Sequence, residues 1–260
     1  MRLKEKVVVI TGGGTGIGKA LTESFVKEGA RVMICSRTKE NLVATATSIN
    51  DRYGEEKVFP YPLNVNKKEE VELSINEVIK KWGDLHLLIN NAGKSGRIPL
   101  LTSKDEEWFD ILDTNLNGMY FFSKAALRQM KDNTHGRIIN ISSVLGKFGV
   151  AGYTAYCTSK HGVIGFTSAL ALEVASRGIT VNAICPGWVE TKMADQGINE
   201  TSKALNVSPE EFKKMAIEAV PIKRFVLSEE VAELALFLSS EEAKAITGQA
   251  INVCGGSVMH

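Results

Sequence analysis

Residues 6–37, KVVVITGGGTGIGKALTESFVKEGARVMICSR, decide the fold. Four aliphatic residues at 7–10 run into a glycine-rich turn, TGGGTGIG at 11–18. An amphipathic stretch, KALTESFVKEG, follows, and then a second aliphatic run, ARVMICSR. Neither run alternates apolar with polar residues, which is the pattern of parallel strands covered on both faces. The turn between strand and helix is chemically loaded. Glycine reaches positive φ and lets the backbone approach a ligand closely. A helix amino terminus offers free N–H groups and the positive end of its dipole to a phosphate. The spacing Gly12-x-x-x-Gly16-x-Gly18 departs from the usual G-x-G-x-x-G, yet its place after a first strand and before a helix points to dinucleotide binding. Gly12, Thr15, Gly16, Ile17 and Gly18 are the candidate contacts. A tight turn without a ligand is the plainer alternative.

Working outward, similar runs recur at 58–65, 85–93, 136–143, 178–187 and 248–256, separated by amphipathic segments such as EEVELSINEVIKKWG. Strictly alternating strands and helices imply a doubly wound α/β fold with a seven-stranded parallel sheet and helices on both faces. No linker rich in Pro, Ser or Gly interrupts the 260 residues, so residues 1–260 read as a single domain. One stretch breaks the rhythm. After Pro186 the chain runs polar and strandless to about residue 225, and Ser208-Pro209-Glu210-Glu211 within it is a capping box that starts a helix. An excursion after the carboxyl end of a strand is where α/β enzymes build a substrate lid. An ornamental helix pair on the surface is the other reading.

The 31 basic residues against 30 acidic, without a basic stripe, disfavour a nucleic acid or an anionic membrane as partner. The longest aliphatic runs are too short to cross a bilayer, and the amino terminus enters a strand without a signal-peptide core. A soluble cytoplasmic protein is expected. Cys35, Cys157, Cys185 and Cys254 lack metal-ligand spacing, so no metal site or disulfide framework is expected.

Two further stretches carry chemistry. At the end of the second strand, where an acidic residue would hold the ribose of NAD, stand Ser36 and Arg37 with Lys39 nearby. A hydroxyl and a guanidinium fork suit a 2′-phosphate and so NADP(H), unless Arg37 merely faces solvent. In GYTAYCTSKHG, 152–162, Tyr153, Tyr156 and Lys160 share one face of a helix start. Either the lysine reaches solvent from a polar helix start, or a phenol sits beside a cation that lowers its pKa and readies it for proton exchange.

TGGGTGIG (11–18), NNAG (90–93), Asn115 in DTNLNG, Ser143 in NISS, Tyr156-x-x-x-Lys160 and PGWVET (186–191) occur in this order. The set, which spans essentially the whole chain, resembles the short-chain dehydrogenase/reductase family. That resemblance implies a Rossmann-type fold, hydride transfer with a nicotinamide cofactor, and a homo-oligomer, dimer or tetramer, built through a four-helix interface. It makes Tyr156 the proton donor to the substrate and leaves Tyr153 a bystander at the substrate mouth. Lys160 would favour the phenolate and bond the nicotinamide ribose, Ser143 would hold the substrate oxygen, and Asn115 would hold a water leading from Lys160 to solvent. Asn91, Ala92 and Gly93 would line the adenosine side, and Pro186, Gly187, Val189 and Thr191 the nicotinamide. Asn64-Val65 departs from the family's frequent Asp-Val at the adenine, where an amide can both accept and donate.

The carboxyl half, from GRIINISSVLGKFGV to ITGQAINVCGG, is similar to 3-oxoacyl carrier-protein reductases and the ketoreductases of aromatic polyketide synthesis. The implied substrate is the 3-oxo group of an acyl thioester, with an acyl carrier protein as a candidate partner. Lys94, Arg97, Lys192, Lys223 and Arg224 are the basic candidates for meeting it, unless they are scattered solvated charge. The competing readings are an NAD(P)-dependent dehydrogenase of a small secondary alcohol and a non-catalytic dinucleotide sensor. A methyltransferase with a similar first loop would have no use for the Tyr/Lys pair.

Overall fold

The computed structural model describes residues 1–130 and 136–260. Seven strands form one parallel sheet in the order β3-β2-β1-β4-β5-β6-β7. They are β1 (Val7–Thr11), β2 (Arg31–Ser36), β3 (Val58–Pro62), β4 (Leu87–Asn90), β5 (Gly136–Ile141), β6 (Ile179–Pro186) and β7 (Ala250–Val253). Between them run α1 (Gly16–Lys27), α2 (Lys39–Tyr53), α3 (Lys68–Trp82), α4 (Asp105–Leu112), α5 (Gly118–Leu127) and α6 (Thr154–Val174). Then follow α7 (Lys192–Leu205), α8 (Pro209–Ala219) and α9 (Ser228–Leu238). All seven expected strands are present.

The unbroken apolar runs have a simple cause. Successive strand residues point to opposite faces, and both faces are covered. Val8 and Ile10 join Leu21, Phe25, Ala235 and Leu236 on the side of α1 and α9. Val7 and Val9 join Val78, Phe122 and Leu170 on the side of α3, α5 and α6. The outermost strands differ, since β3 and β7 are mostly half-buried. β3 carries Pro60 and Pro62, which lack the N–H that a central strand must donate on alternate sides, so it can stand only at an edge. The strand order reverses between β1 and β4, and at that switch point the carboxyl ends of the strands splay into a crevice.

Residues 186–225 leave this layer arrangement. Thr191 caps α7 by accepting the Ala194 N–H, and Ser208 caps α8 by accepting the Glu211 N–H at 3.1 Å, as its capping sequence predicts. The two helices pack on each other around a small apolar cluster of their own, Ile198, Ala216 and Phe225 with Trp188, Phe212 and Ile217. Trp188 stacks on Phe225 at 5.6 Å and meets Phe212 edge-on. No helix among the described residues is long and apolar enough to cross a membrane.

Candidate active site

The glycine turn is built by close backbone approach. Gly12 (φ +68°) and Gly16 (φ +49°) need the left-handed region. A Cβ on Gly18 would lie 2.0 Å from the Gly12 carbonyl oxygen, so only glycine lets α1 start this near to β1. The first turn of α1 holds no acidic residue, and the Thr15 side chain makes no capping bond, so the N–H groups there stay free for an anion. Thr15 and Gly16 are exposed and Ile17 half-buried at this helix start.

Residues the sequence reading did not single out hold the turn from behind. Thr22 Oγ1 donates to the Gly18 carbonyl at 2.7 Å, and Thr45 Oγ1 donates to the Gly14 carbonyl at 2.9 Å. Thr22 lies four residues after Gly18 on α1, a spacing that could have flagged it; Thr45 arrives from α2 and leaves no local signal. Asn91, expected beside the adenosine, uses its amide differently: Nδ2 donates to the carbonyls of Thr11 and Gly12 at 2.9 and 3.2 Å. The N–H groups of Asn91 and Ala92 both donate to Thr11 Oγ1. The NNAG segment thus splints the glycine turn to β4.

At the end of β2, Ser36 is half-buried and Arg37 and Lys39 are exposed, beside the glycine turn. Asn64 follows β3, with Val65 buried behind it. Asn64 Oδ1 accepts the Asn66 N–H at 3.1 Å, which fixes the amide's orientation and leaves Nδ2 as its free donor. The expectation of an amide that both accepts and donates toward adenine narrows accordingly.

The second half of the site sits at the carboxyl ends of β5 and β6. Ser143 follows β5 and caps a short 3₁₀ turn (Val144–Gly146), its Oγ accepting the Leu145 N–H. The same hydroxyl is within hydrogen-bonding reach of the Tyr156 phenol, in the first turn of α6. Lys160, one turn further and 4 % exposed, donates from Nζ to the Ile141 carbonyl at 2.8 Å. Its ammonium lies 5.6 Å from the centre of the Tyr156 ring. Ser142 Oγ clamps the Lys160 carbonyl from the other side. A Cβ built on Gly93 would be 3.6 Å from Lys160 Nζ. The glycine at the end of NNAG therefore stands beside the ammonium and brings the two halves of the site together.

The electrostatics depart from the expectation of a lowered phenol pKa. Burial pushes Tyr156 up, to about 12, against the smaller lowering from the Ser143 bond. Burial likewise pushes Lys160 down to about 8. Desolvation opposes both charged forms and outweighs the pull of the neighbouring ammonium on the phenol's proton. In this state the phenol is a proton holder.

Asn115 lies in a π-helical turn (Asp113–Asn117) between α4 and α5. Its side chain is fully engaged. Oδ1 accepts the Lys94 N–H at 2.7 Å, and Nδ2 donates to the Lys94 carbonyl and to Ser159 Oγ. A water relay at Asn115 therefore has to rest on its main chain. On the far wall, Pro186 and Val189 are buried and Gly187 half-buried, with the Gly187 N–H donating to the Val253 carbonyl. Thr191 comes to 3.2 Å of a Cβ built on Gly16, so the segment after β6 closes over the glycine turn.

Of the five basic candidates, Lys192 is exposed at the start of α7, and three others are held in ion pairs. Lys94 pairs with Asp110, Lys223 with Glu218, and Arg224 is gripped by both oxygens of Glu230 at 2.7 Å. Arg97 lies folded over Gly152. The four cysteines are buried and unpaired, and no group of three or more metal-ligating side chains occurs among the described residues.

The chain is 39% identical over its full length to all of a 3-oxoacyl-(acyl-carrier-protein) reductase of Thermotoga maritima. It is 40% identical to a putative ketoacyl reductase of Streptomyces coelicolor, over 96% of each chain. Its fold matches the crystal structure of a variant actinorhodin polyketide ketoreductase with NADPH at a TM-score of 0.91, covering 97% of each chain at 39% identity. Levodione reductase matches at 0.91 over 98% of each chain with 26% identity. The family described as short chain dehydrogenase matches residues 6–202, and on these grounds together with the single Rossmann-like α/β domain the chain belongs to that family of oxidoreductases.

Proposed function

We propose that this chain is an NADP(H)-dependent ketoreductase that reduces the 3-oxo group of an acyl thioester, with Tyr156 as proton donor. The observation that carries the reading is the Ser143–Tyr156–Lys160 group, held with its phenol protonated and its ammonium 5.6 Å from the ring. General-acid catalysis of ketone reduction needs a neutral phenol at working pH, and burial keeps it neutral. The cradle fits a dinucleotide, because α1 starts at an exposed glycine turn with no side-chain cap and no acidic residue in its first turn, which leaves its N–H groups for a phosphate. Ser36 and Arg37 take the 2′-phosphate, Asn64 and Val65 the adenine edge, and Pro186, Gly187, Val189 and Thr191 the nicotinamide side.

When bound, the reduced nicotinamide supplies a hydride to the carbonyl carbon. The Ser143 hydroxyl donates to the substrate oxygen and steadies the charge that develops there. As the C=O π pair collapses onto that oxygen, Tyr156 O–H releases its proton to it, giving the alcohol and a phenolate. Lys160 lies close enough to stabilise that phenolate, and the main chain at Asn115 relays a replacement proton from solvent. Residues 186–225 act as the substrate lid. The chain works in the cytoplasm, where four unpaired cysteines stay reduced. It assembles as a dimer or tetramer through the outer faces of α5 and α6, where Tyr120 and Leu172 stand exposed.

Delivery of the thioester by an acyl carrier protein is supported by the likeness to 3-oxoacyl-(acyl-carrier-protein) reductases, and the exposed ion pairs at Lys94, Lys223 and Arg224 are too weak to oppose it. The test follows reduced-cofactor absorbance with NADPH and NADH in parallel, against acetoacetyl thioesters with and without the carrier, bicyclic ketones and simple sugars. Turnover with NADPH and an acetoacetyl thioester is the expected result. Tyr156→Phe should lose at least about 100-fold in kcat while still binding NADPH. Full activity in that variant overturns the donor assignment.

A further inference from the structure

Tyr153 does more than border the site. Its ring is 6 % exposed, and its hydroxyl shares a 3.0 Å hydrogen bond with Thr201 Oγ1 on α7. One residue earlier on α7, the Glu200 carboxylate accepts the Arg97 main-chain N–H at 2.8 Å, and Gln196 braces the other Glu200 oxygen. Arg97 lies over Gly152, whose carbonyl accepts the Ile98 N–H at 2.7 Å. Three pieces therefore converge at one point: the loop at 94–99, the turn before α6, and the carboxyl half of α7.

What they hold is a unit with its own apolar cluster, distinct from the two cores that flank the sheet. A unit tied at its far end by these few polar bonds opens locally when they break, at far less free energy than global unfolding. The near wall of the unit is set by the same tyrosine. A Cβ on Gly197 would lie 3.5 Å from the Trp188 ring and 3.8 Å from the Tyr153 hydroxyl. Helical spacing put Tyr153 on one face with Tyr156, but the structure leaves it outside α6 as the N-cap residue with non-helical backbone; the distance from Trp188 and Gly197 to the reacting phenol is set through this turn.

We propose that Tyr153 is a positioning residue whose bond to Thr201 latches the α7–α8 unit over the site and so sets the space left for the ketone. This rests on the ketoreductase reading. Gly197, buried beneath Trp188 and the Tyr153 hydroxyl, lets the unit pack this close, and the ketone it leaves room for lies on the Tyr156 side of that contact.

The test compares Tyr153→Phe, which keeps the ring, with Thr201→Val and the double variant. Each single change should raise the ketone KM about threefold to tenfold and leave the NADPH KM within about twofold, as loss of one hydrogen bond predicts. The double variant should be no worse than either single one, because both remove the same bond. Hydrogen exchange of amides 192–205, measured without substrate, should speed up by a similar factor. That readout needs no turnover, so the latch stands or falls separately from the substrate assignment. Glu200→Gln, which weakens the second bond, should speed the same amides even if Thr201→Val fails to fold. A displaced kcat–pH profile in Tyr153→Phe, additive effects in the double variant, or unchanged exchange at 192–205 overturns the proposal.

Discussion

Replacing the buried ammonium should separate stability from activity in a way that pH exposes. Lys160 is 4 % exposed and its pKa is pushed down to about 8 from an ordinary 10.5, with burial the chief cause. A displacement of about 2.5 units corresponds to roughly 3 kcal/mol against folding at neutral pH. Lys160→Met keeps the length and apolar stem and removes that burden, but it leaves the Ile141 carbonyl unpaired, at a cost of about 1–3 kcal/mol. The variant should therefore be as stable as the parent at pH 7 or more so by about 1 kcal/mol, a rise in Tm of roughly 2–4 °C. Between pH 8 and 10.5 the unfolded parent binds the lysine proton more readily than the folded parent does. The parent's stability thus rises with pH through that window while the variant, lacking the group, does not follow. The difference should move by about 3 kcal/mol in the parent's favour. Denaturant unfolding followed by tryptophan fluorescence at pH 7, 9 and 10.5 measures it, and Tyr156 titrates in both proteins alike. Ketone reduction by the variant should fall by about 100-fold or more. A stability difference that is flat across the window, or a variant weaker by more than about 2 kcal/mol at pH 7, refutes the argument that the charge is held at a folding cost.

Two further outcomes follow from the cofactor cradle. Arg37→Ala should raise the NADPH KM about 10- to 100-fold and leave the NADH KM within a few-fold, since only NADPH carries the phosphate that a charged hydrogen bond would grip; equal effects in parallel titrations would mean that Arg37 simply faces solvent. Gly18→Ala should cost more than about 2 kcal/mol by chemical unfolding and abolish dinucleotide binding, because its Cβ would lie 2.0 Å from the Gly12 carbonyl oxygen. A stable variant that still binds would mean that the turn yields more easily than its packing implies.

Legibility in the sequence was uneven for physical reasons. Val7 to Ile10 could be read as a buried strand because every residue there is apolar whichever face it meets, and the capping box at 208–211 because its bonds are local. Asn91 was harder. A side-chain amide beside a glycine turn can face a ligand or the turn, and only its 2.9 and 3.2 Å bonds to Thr11 and Gly12 decide between them. Thr45 and Ser142 could not be found from spacing, since each reaches its partner across the fold. The five basic residues at the mouth look alike in sequence, and whether they attract an acidic partner depends on carboxylates such as Asp110 and Glu230 brought beside them.

By itself the sequence determined the layer order, the seven strands and the glycine turn, because these follow from apolar period, backbone freedom and short-range hydrogen bonds. It also brought Tyr156 and Lys160 onto one helix face, because four residues make about one turn. The tertiary structure alone decided how those groups ionise and what covers them. Desolvation depends on every atom packed around a charge, which is why the ammonium falls and the phenol rises where a cation alongside it pointed to a lowered phenol. The reach of Tyr153 to Thr201, 48 residues on, belongs to the same class of fact: contacts that exist only once the chain has closed on itself.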